Sequence, residues 1–250
     1  MLEAVLRREQ ATVVAMLVAI TVATWTYILR LAVAMPMNRM MMPRAWTVHE
    51  ALFMFVMWSA MMVAMMVPSA SPMVLIYARV AQQAQKQGKP FAATAWFVGG
   101  YLAAWIGFSG LATAAQWGLE SLALLTPMMA SASPYFGGAV LIVAGLYQWT
   151  PLKERCLANC QAPFVFIQRH GGFRRDPQGA WLLGLRHGLY CLGCCWALMA
   201  LLFVGGVMNV LWIAALTLFV LIEKALATGR WVSRVSGVGF VAAGLWLMTQ

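Results

Sequence analysis

The chain has 250 residues, of which 63% are hydrophobic and only 10% charged, with a formal net charge of +10 and a mean hydropathy of +0.78. That balance excludes a soluble globular domain and predicts an all-α, polytopic transmembrane helical bundle, one integral domain over residues 1–250 in contact with membrane lipid. Its basic residues are spread between the apolar runs and not gathered into a patch, which excludes a nucleic-acid partner and leaves membrane topology as their reason.

Windows of about 20 apolar residues predict seven spans, at approximately 11–34, 47–67, 91–117, 134–150, 179–204, 206–226 and 231–249. The fourth is short, and only Gly205-Gly206 parts the fifth from the sixth, so six or eight spans stay open. The opening MLEAVLRREQ carries both signs of charge ahead of a span-length apolar run, so the first segment reads as a retained helix, not a cleaved signal. Under seven spans, one side receives Arg7, Arg8, Arg79, Lys86, Lys89, Lys153, Arg155, Arg169, Arg174, Arg175, Lys224 and Arg230, and the other chiefly Arg39 and Arg44. The enrichment of Lys and Arg in short cytoplasmic loops then places the N-terminus inside and the C-terminus outside.

The first external loop, MPMNRMMMPR, holds Met35, Met37, Met40, Met41 and Met42. It reads either as an apolar loop lying among lipid headgroups or as a thioether cluster that captures Cu(I), for which soft sulfur is selective. In the second span Met54, Met57, Met61 and Met65 follow one helix face, with Met62 and Met66 on the adjoining strip. Such a stripe is a packing face or a ligand ladder. Pro68 and Pro72 are expected to end this helix near the inner surface, with an interfacial or cytosolic helix following as far as Gly88 and Pro90. At its outer end Glu50, beside His49, suits the positive end of the helix dipole. The third span, with Trp96, Tyr101, Trp105 and Trp117, reads as scaffold, and the loop after it, with Glu120, Met128 and Met129, suggests no chemistry.

In the long inner loop 151–178, Cys156 and Cys160 form CLANC. Thiols at i and i+4 share a helix face and suit one linear two-coordinate Cu(I) or a disulfide; a cytosolic placement argues against a persistent disulfide.

The fifth span contains HGLYCLGCCWALM, in which His187, Cys191, Cys195 and Met199 recur at every fourth position with Cys194 alongside. Imidazole, thiolate and thioether together suit Cu(I) better than the oxygen-seeking metals, and zinc has little use for Met. The competing reading is packing, since free Cys and Met both fill apolar interiors. Counted from opposite surfaces at about 1.5 Å per residue, Met57 to Met61 and Cys191 to Cys195 both lie roughly 15 to 24 Å deep, so the two stripes are able to face each other. Glu223-Lys224, ending the sixth span, most simply snorkel to the inner interface or pair with a loop.

Met61-Met62-x-x-Met65-Met66-x-Pro68, His187-Gly188-x-Tyr190-Cys191-x-Gly193-Cys194-Cys195-Trp196, Gly206-x-Met208-Asn209 and Glu223-Lys224 together resemble a bacterial family of predicted metal-binding integral membrane proteins, domain of unknown function 2182, over about residues 40–230. That family includes a membrane protein implicated in copper delivery to a tyrosinase. The resemblance therefore implies a multi-pass protein of the bacterial inner membrane that acts as a copper chaperone, with a copper enzyme or another copper chaperone as partner. The leading expectation is a Cu(I)-handling protein, not an enzyme. In it the outer methionines capture copper, Met57, Met61, Met62, Met65 and Met66 pass it on, and His187, Cys191, Cys194, Cys195 and Met199 hold it, in communication with Cys156 and Cys160. Two alternatives are a membrane thiol-disulfide oxidoreductase acting through Cys191, Cys194 and Cys195, and a non-catalytic accessory subunit of a membrane complex whose sulfurs only pack.

Overall fold

Two prolines inside an apolar helix would ordinarily break it, yet α2 runs unbroken from Val48 to Lys86 through both Pro68 and Pro72. The computed structural model, which describes residues 2–34, 46–88, 92–173, 175–226 and 228–250, with side chains from residue 11 onward, shows how. Pro72 cannot donate to the Pro68 carbonyl, and the Ser71 hydroxyl donates to that carbonyl instead at 2.7 Å. Local hydroxyls of this kind are what make proline tolerable in membrane helices. The expected helix end at Pro68 is thus replaced by a 39-residue helix. At about 1.5 Å per residue it is roughly 58 Å long, well beyond the ~30 Å hydrocarbon thickness. Its polar last turns, expected as a separate interfacial helix, are a continuation of the span. At its start Thr47 and Glu50 form a capping box, with the Thr47 amide donating to Glu50 Oε2 at 2.8 Å.

The all-α architecture expected from the sequence is the one observed. Among the described residues there are α1 (Leu2–Ala34), α2, α3 (Thr94–Ser121), α4 (Pro134–Tyr147), α5 (Pro151–Gln161), α6 (Pro163–Arg169), α7 (Pro177–Ala200), α8 (Leu202–Gly205), α9 (Val210–Ala225) and α10 (Gly229–Met248). Five stretches are long and apolar enough to cross a membrane: Ala11–Ala34, Val48–Lys86, Thr94–Ser121, Pro177–Gly205 and Gly229–Met248. The predicted spans at 134–150 and 206–226 correspond to α4 and α9, of 14 and 16 residues, which fall short of that length. The expected loop 151–178 is largely helical, as α5 and α6. The methionine cluster Met35 to Met42 lies outside the described residues.

α7 is the centre of the bundle, packed along α3 on one side and α5 on another, while α2 lies against α1 and α3 and α10 against α4. Close approach of α3 and α7 depends on glycine. A Cβ at Gly184 would overlap the Phe97 carbonyl, and one at Gly100 the Trp181 carbonyl; small residues at such crossings are the usual means by which membrane helices pack. Beyond α8, Gly206 takes a φ of +94° that breaks the helix, and Asn209 Oδ1 then caps α9 by accepting the Trp212 amide at 3.2 Å. This turn sends α9 back toward α2 and α7, with Glu223 and Lys224 in its last turns.

Candidate metal centre

Cys191, Cys194 and Cys195 lie on one buried face of α7. The Cys194 and Cys195 thiols fold back along the helix and donate to the Cys191 carbonyl at 3.0 and 2.9 Å, the local bond that short polar side chains make at i−3 and i−4. Cys191 Sγ points away, lying 3.2 Å from the Tyr101 hydroxyl on α3 and 3.0 Å from Lys224 Nζ on α9. The same ammonium is 3.8 Å from Cys195 Sγ and 3.8 Å from Met66 Sδ, and donates to Ser69 Oγ at 3.4 Å. Cys195 Sγ and Met66 Sδ are 4.0 Å apart. Two thiols and a thioether from α7 and α2 thus surround one cation, with the Tyr101 hydroxyl also donating to the Met66 carbonyl at 3.1 Å.

A second sulfur group flanks the first. Cys160 Sγ on α5 is 3.9 Å from Cys194 Sγ, and Cys156 is seated against Gly193, where a Cβ would come within 2.7 Å of its sulfur. CLANC, expected within a loop, lies on α5, and its two thiols meet α7. Burial, with Cys194 adding to it and Lys153 opposing, raises the Cys156 thiol. Hydrogen bonds to Cys191 and Cys194, followed by burial, push the Cys160 thiol well above its ordinary range. Cys160 is also the one of the five free cysteines that is only partly buried.

Beneath the sulfurs is a buried ion pair, Lys153 Nζ to Glu223 Oε2 at 2.6 Å, the two side chains 1% and 0% exposed. Ser233 donates to the other Glu223 oxygen at 2.5 Å, and Gln161 Nε2 donates to the Glu223 carbonyl at 2.9 Å, so α5, α9 and α10 meet at this carboxylate. Of the two readings of Glu223 and Lys224, snorkelling to the interface is corrected, since both are buried, whereas pairing with the neighbouring segment 151–178 is what Glu223 does, through Lys153 of α5. Lys153, counted from sequence as a loop charge, is buried as well.

The remaining candidate ligands are placed differently. His187 is buried among rings, its centroid 5.1 Å from Phe166, 5.8 Å from Tyr101 and 6.1 Å from Phe97, and its Nδ1 has no hydrogen-bond partner. Met199 joins the apolar core, as do Met57, Met61, Met62 and Met65, all of them buried. Met54 Sδ accepts from Gln116 Nε2 at 3.6 Å, in a separate polar cluster where Trp58 donates to Gln116 Oε1 at 2.7 Å. Among the described residues no three His, Cys, Asp or Glu side chains form a ready metal-holding group; the sulfur set of Cys191 and Cys195 is completed by Met66, with Lys224 Nζ between them.

Tyr101, Lys224, Glu223 and Lys153 were not marked as site residues by the sequence. A signal existed for the adjacent Glu-Lys pair, because ionisable residues deep in apolar segments are costly and mostly functional. Nothing distinguished Tyr101 from the other aromatics of α3.

A family model described as PpoB2, copper chaperone, matches residues 55–247 and so takes in every residue of both sulfur groups. No curated protein and no solved structure matches the chain.

Proposed function

The chain belongs to the PpoB2 family of copper chaperones, and from that premise we propose that it is a membrane carrier that holds Cu(I) as cargo between Cys191 and Cys195, with Met66 as a thioether ligand. Thiolate and thioether sulfur are the donors Cu(I) prefers. The observation that carries this reading is the convergence of Cys191, Cys195 and Met66 on one point, from helices far apart in sequence, around a cation. Cys194 and Cys160, 3.9 Å apart, form a second station. Cys160, partly exposed, is the position from which a client copper enzyme or a further chaperone takes the ion. His187 and Met199 stand outside the metal's reach in this proposal, and the buried methionines Met57, Met61, Met62 and Met65 act as packing.

The chain acts as a single membrane domain, in the cytoplasmic membrane of a bacterium, with its N-terminus inside. The charge asymmetry of the loops supports that orientation. The role is carriage and not catalysis. A thiol-disulfide exchange reading has one observation in its favour, the approach of Cys160 to Cys194; a disulfide between them that exchanges with added thiols while copper binding is absent would favour it.

The test is copper content and X-ray absorption of the detergent-purified protein loaded under reducing conditions. Wild type is compared with Cys191→Ser and Cys195→Ser. The expected result is one Cu(I) per chain in a sulfur environment, with each variant lowering occupancy at least about tenfold. Equal copper in all three proteins would overturn the site.

A further inference from the structure

A lysine surrounded by sulfur ligands is an unusual occupant for a site that receives a cation. Lys224 is 7% exposed, and its contacts are Cys191 Sγ at 3.0 Å, Ser69 Oγ at 3.4 Å, and Cys195 Sγ and Met66 Sδ at 3.8 Å each. The adjacent carboxylate does not serve it. Glu223 is taken by Lys153 at 2.6 Å and by Ser233, and Glu154 is engaged by Arg234 at 2.8 Å. A buried ammonium requires a counter-anion. The nearest group able to supply one is the Cys191 sulfur as a thiolate, while the Cys195 thiol keeps its proton and donates it to the Cys191 carbonyl at 2.9 Å.

We infer that Lys224 sets the charge of the cargo, making the Cys191–Cys195–Met66 site selective for monovalent soft cations over divalent ones. The inference rests on the copper-carrier reading and adds to it the residue that decides which cations are accepted. Before binding, one ammonium and one thiolate cancel. A monovalent ion binds with release of the Cys195 proton to the surrounding water, giving two thiolates, one metal charge and one ammonium, which again sum to zero. A divalent ion at the same two thiolates leaves one uncancelled positive charge at a buried point. The Lys153–Glu223 pair is already neutral and cannot absorb it. Uncompensated buried charge is the costly case, whereas a balanced set is not. Removing the ammonium removes the bias against divalent ions, since two thiolates then neutralise a divalent ion, while a monovalent one is neutralised by a single thiolate and loses its second anionic ligand to the protonated Cys195.

The probes are Ag(I), which is monovalent, thiophilic and redox-inert, and Cd(II). Both are offered together at equal concentration to the reduced full-length protein in detergent, and the bound ratio is read by mass spectrometry of the metals. Reading a ratio within one sample makes the result independent of the fraction of active protein. Wild type is compared with Lys224→Met and with Lys224→Gln, whose neutral polar head retains a hydrogen bond for Ser69 if the apolar variant does not fold. The expected result is an Ag(I)-to-Cd(II) ratio at least about tenfold lower in either neutral variant. An unchanged ratio, with Ag(I) still lost in Cys191→Ser, would overturn the role of Lys224 and leave the copper site standing. Silver binding that survives Cys191→Ser and Cys195→Ser would overturn the site itself, and this inference with it.

Discussion

His187 and Cys191 are one helical turn apart on the same face of α7, yet they occupy different chemical worlds. The imidazole is enclosed by the rings of Phe97, Phe166 and Tyr101, while the thiol meets an ammonium and a phenol. Tyr101 marks the boundary, with its ring toward His187 and its hydroxyl on Cys191. Periodicity placed both residues on one stripe, and that much is a property of α7 alone. Whether members of a stripe share a site depends on what α3, α6 and α9 bring opposite each turn, and here they bring aromatic carbon to one turn and charge to the next.

The charged side of this contrast is where the largest effects are expected. Glu223→Gln leaves Lys153 buried without its counter-charge, a change of the kind that costs about 3–5 kcal/mol. Because Glu223 gathers α5, α9 and α10, the variant loosens α5 as well as lowering thermal stability in detergent. Cys160, only partly buried in the intact bundle, should react faster with maleimide in Glu223→Gln than in wild type, as α5 loosens. An unchanged melting temperature and an unchanged labelling rate would mean that the ion pair does not organise the sulfur groups.

On the packed side the expected loss is smaller. Gly184→Ala puts a methyl group into the Phe97 carbonyl and forces α3 away from α7 near the aromatic box, costing about 1–3 kcal/mol by the usual scale of overpacking. Copper occupancy should fall less than it does in Cys191→Ser, because the sulfurs themselves remain. If occupancy falls as far as in the cysteine variant, the two regions are coupled through α3 and the boundary at Tyr101 is not a boundary.

Much of the fold was legible because apolar run length and helical period are local properties: α1, α3, α7 and α10 coincide closely with predicted spans. The continuation of α2 through Pro68 and Pro72 was not legible, since at Pro72 Ser71 replaces the missing donor, a compensation that a rule about proline does not contain. The cysteines of α7 and of CLANC were visible as sulfur at helical spacing. Their meeting was not, because the 3.9 Å approach of Cys160 to Cys194 is a contact between helices. Lys224 is the most instructive miss. Snorkelling is the ordinary fate of a lysine at the end of a span, and only the turn at Gly206 and the docking of α9 against α2 reveal that this one points inward.

The smallest predicted effect separates the two regions most sharply. His187 is 3% exposed with an Nδ1 that lacks a partner, and a buried polar group in that condition carries a desolvation cost of about 1–3 kcal/mol. Leucine removes that cost and fills the space among the rings with apolar volume, at the expense of contacts that an aromatic ring makes better. The opposing contributions leave His187→Leu within about 1 kcal/mol of wild type. Copper occupancy in the variant should equal that of wild type, because the sulfur set of Cys191, Cys195 and Met66 is untouched. Loss of copper with stability retained would show that the orphaned nitrogen is a ligand, and that α7 rotates or α6 withdraws on loading to bring the imidazole to the thiolates. In that event the stripe read from the sequence would describe the metal-loaded protein, and the aromatic box only the protein without its cargo.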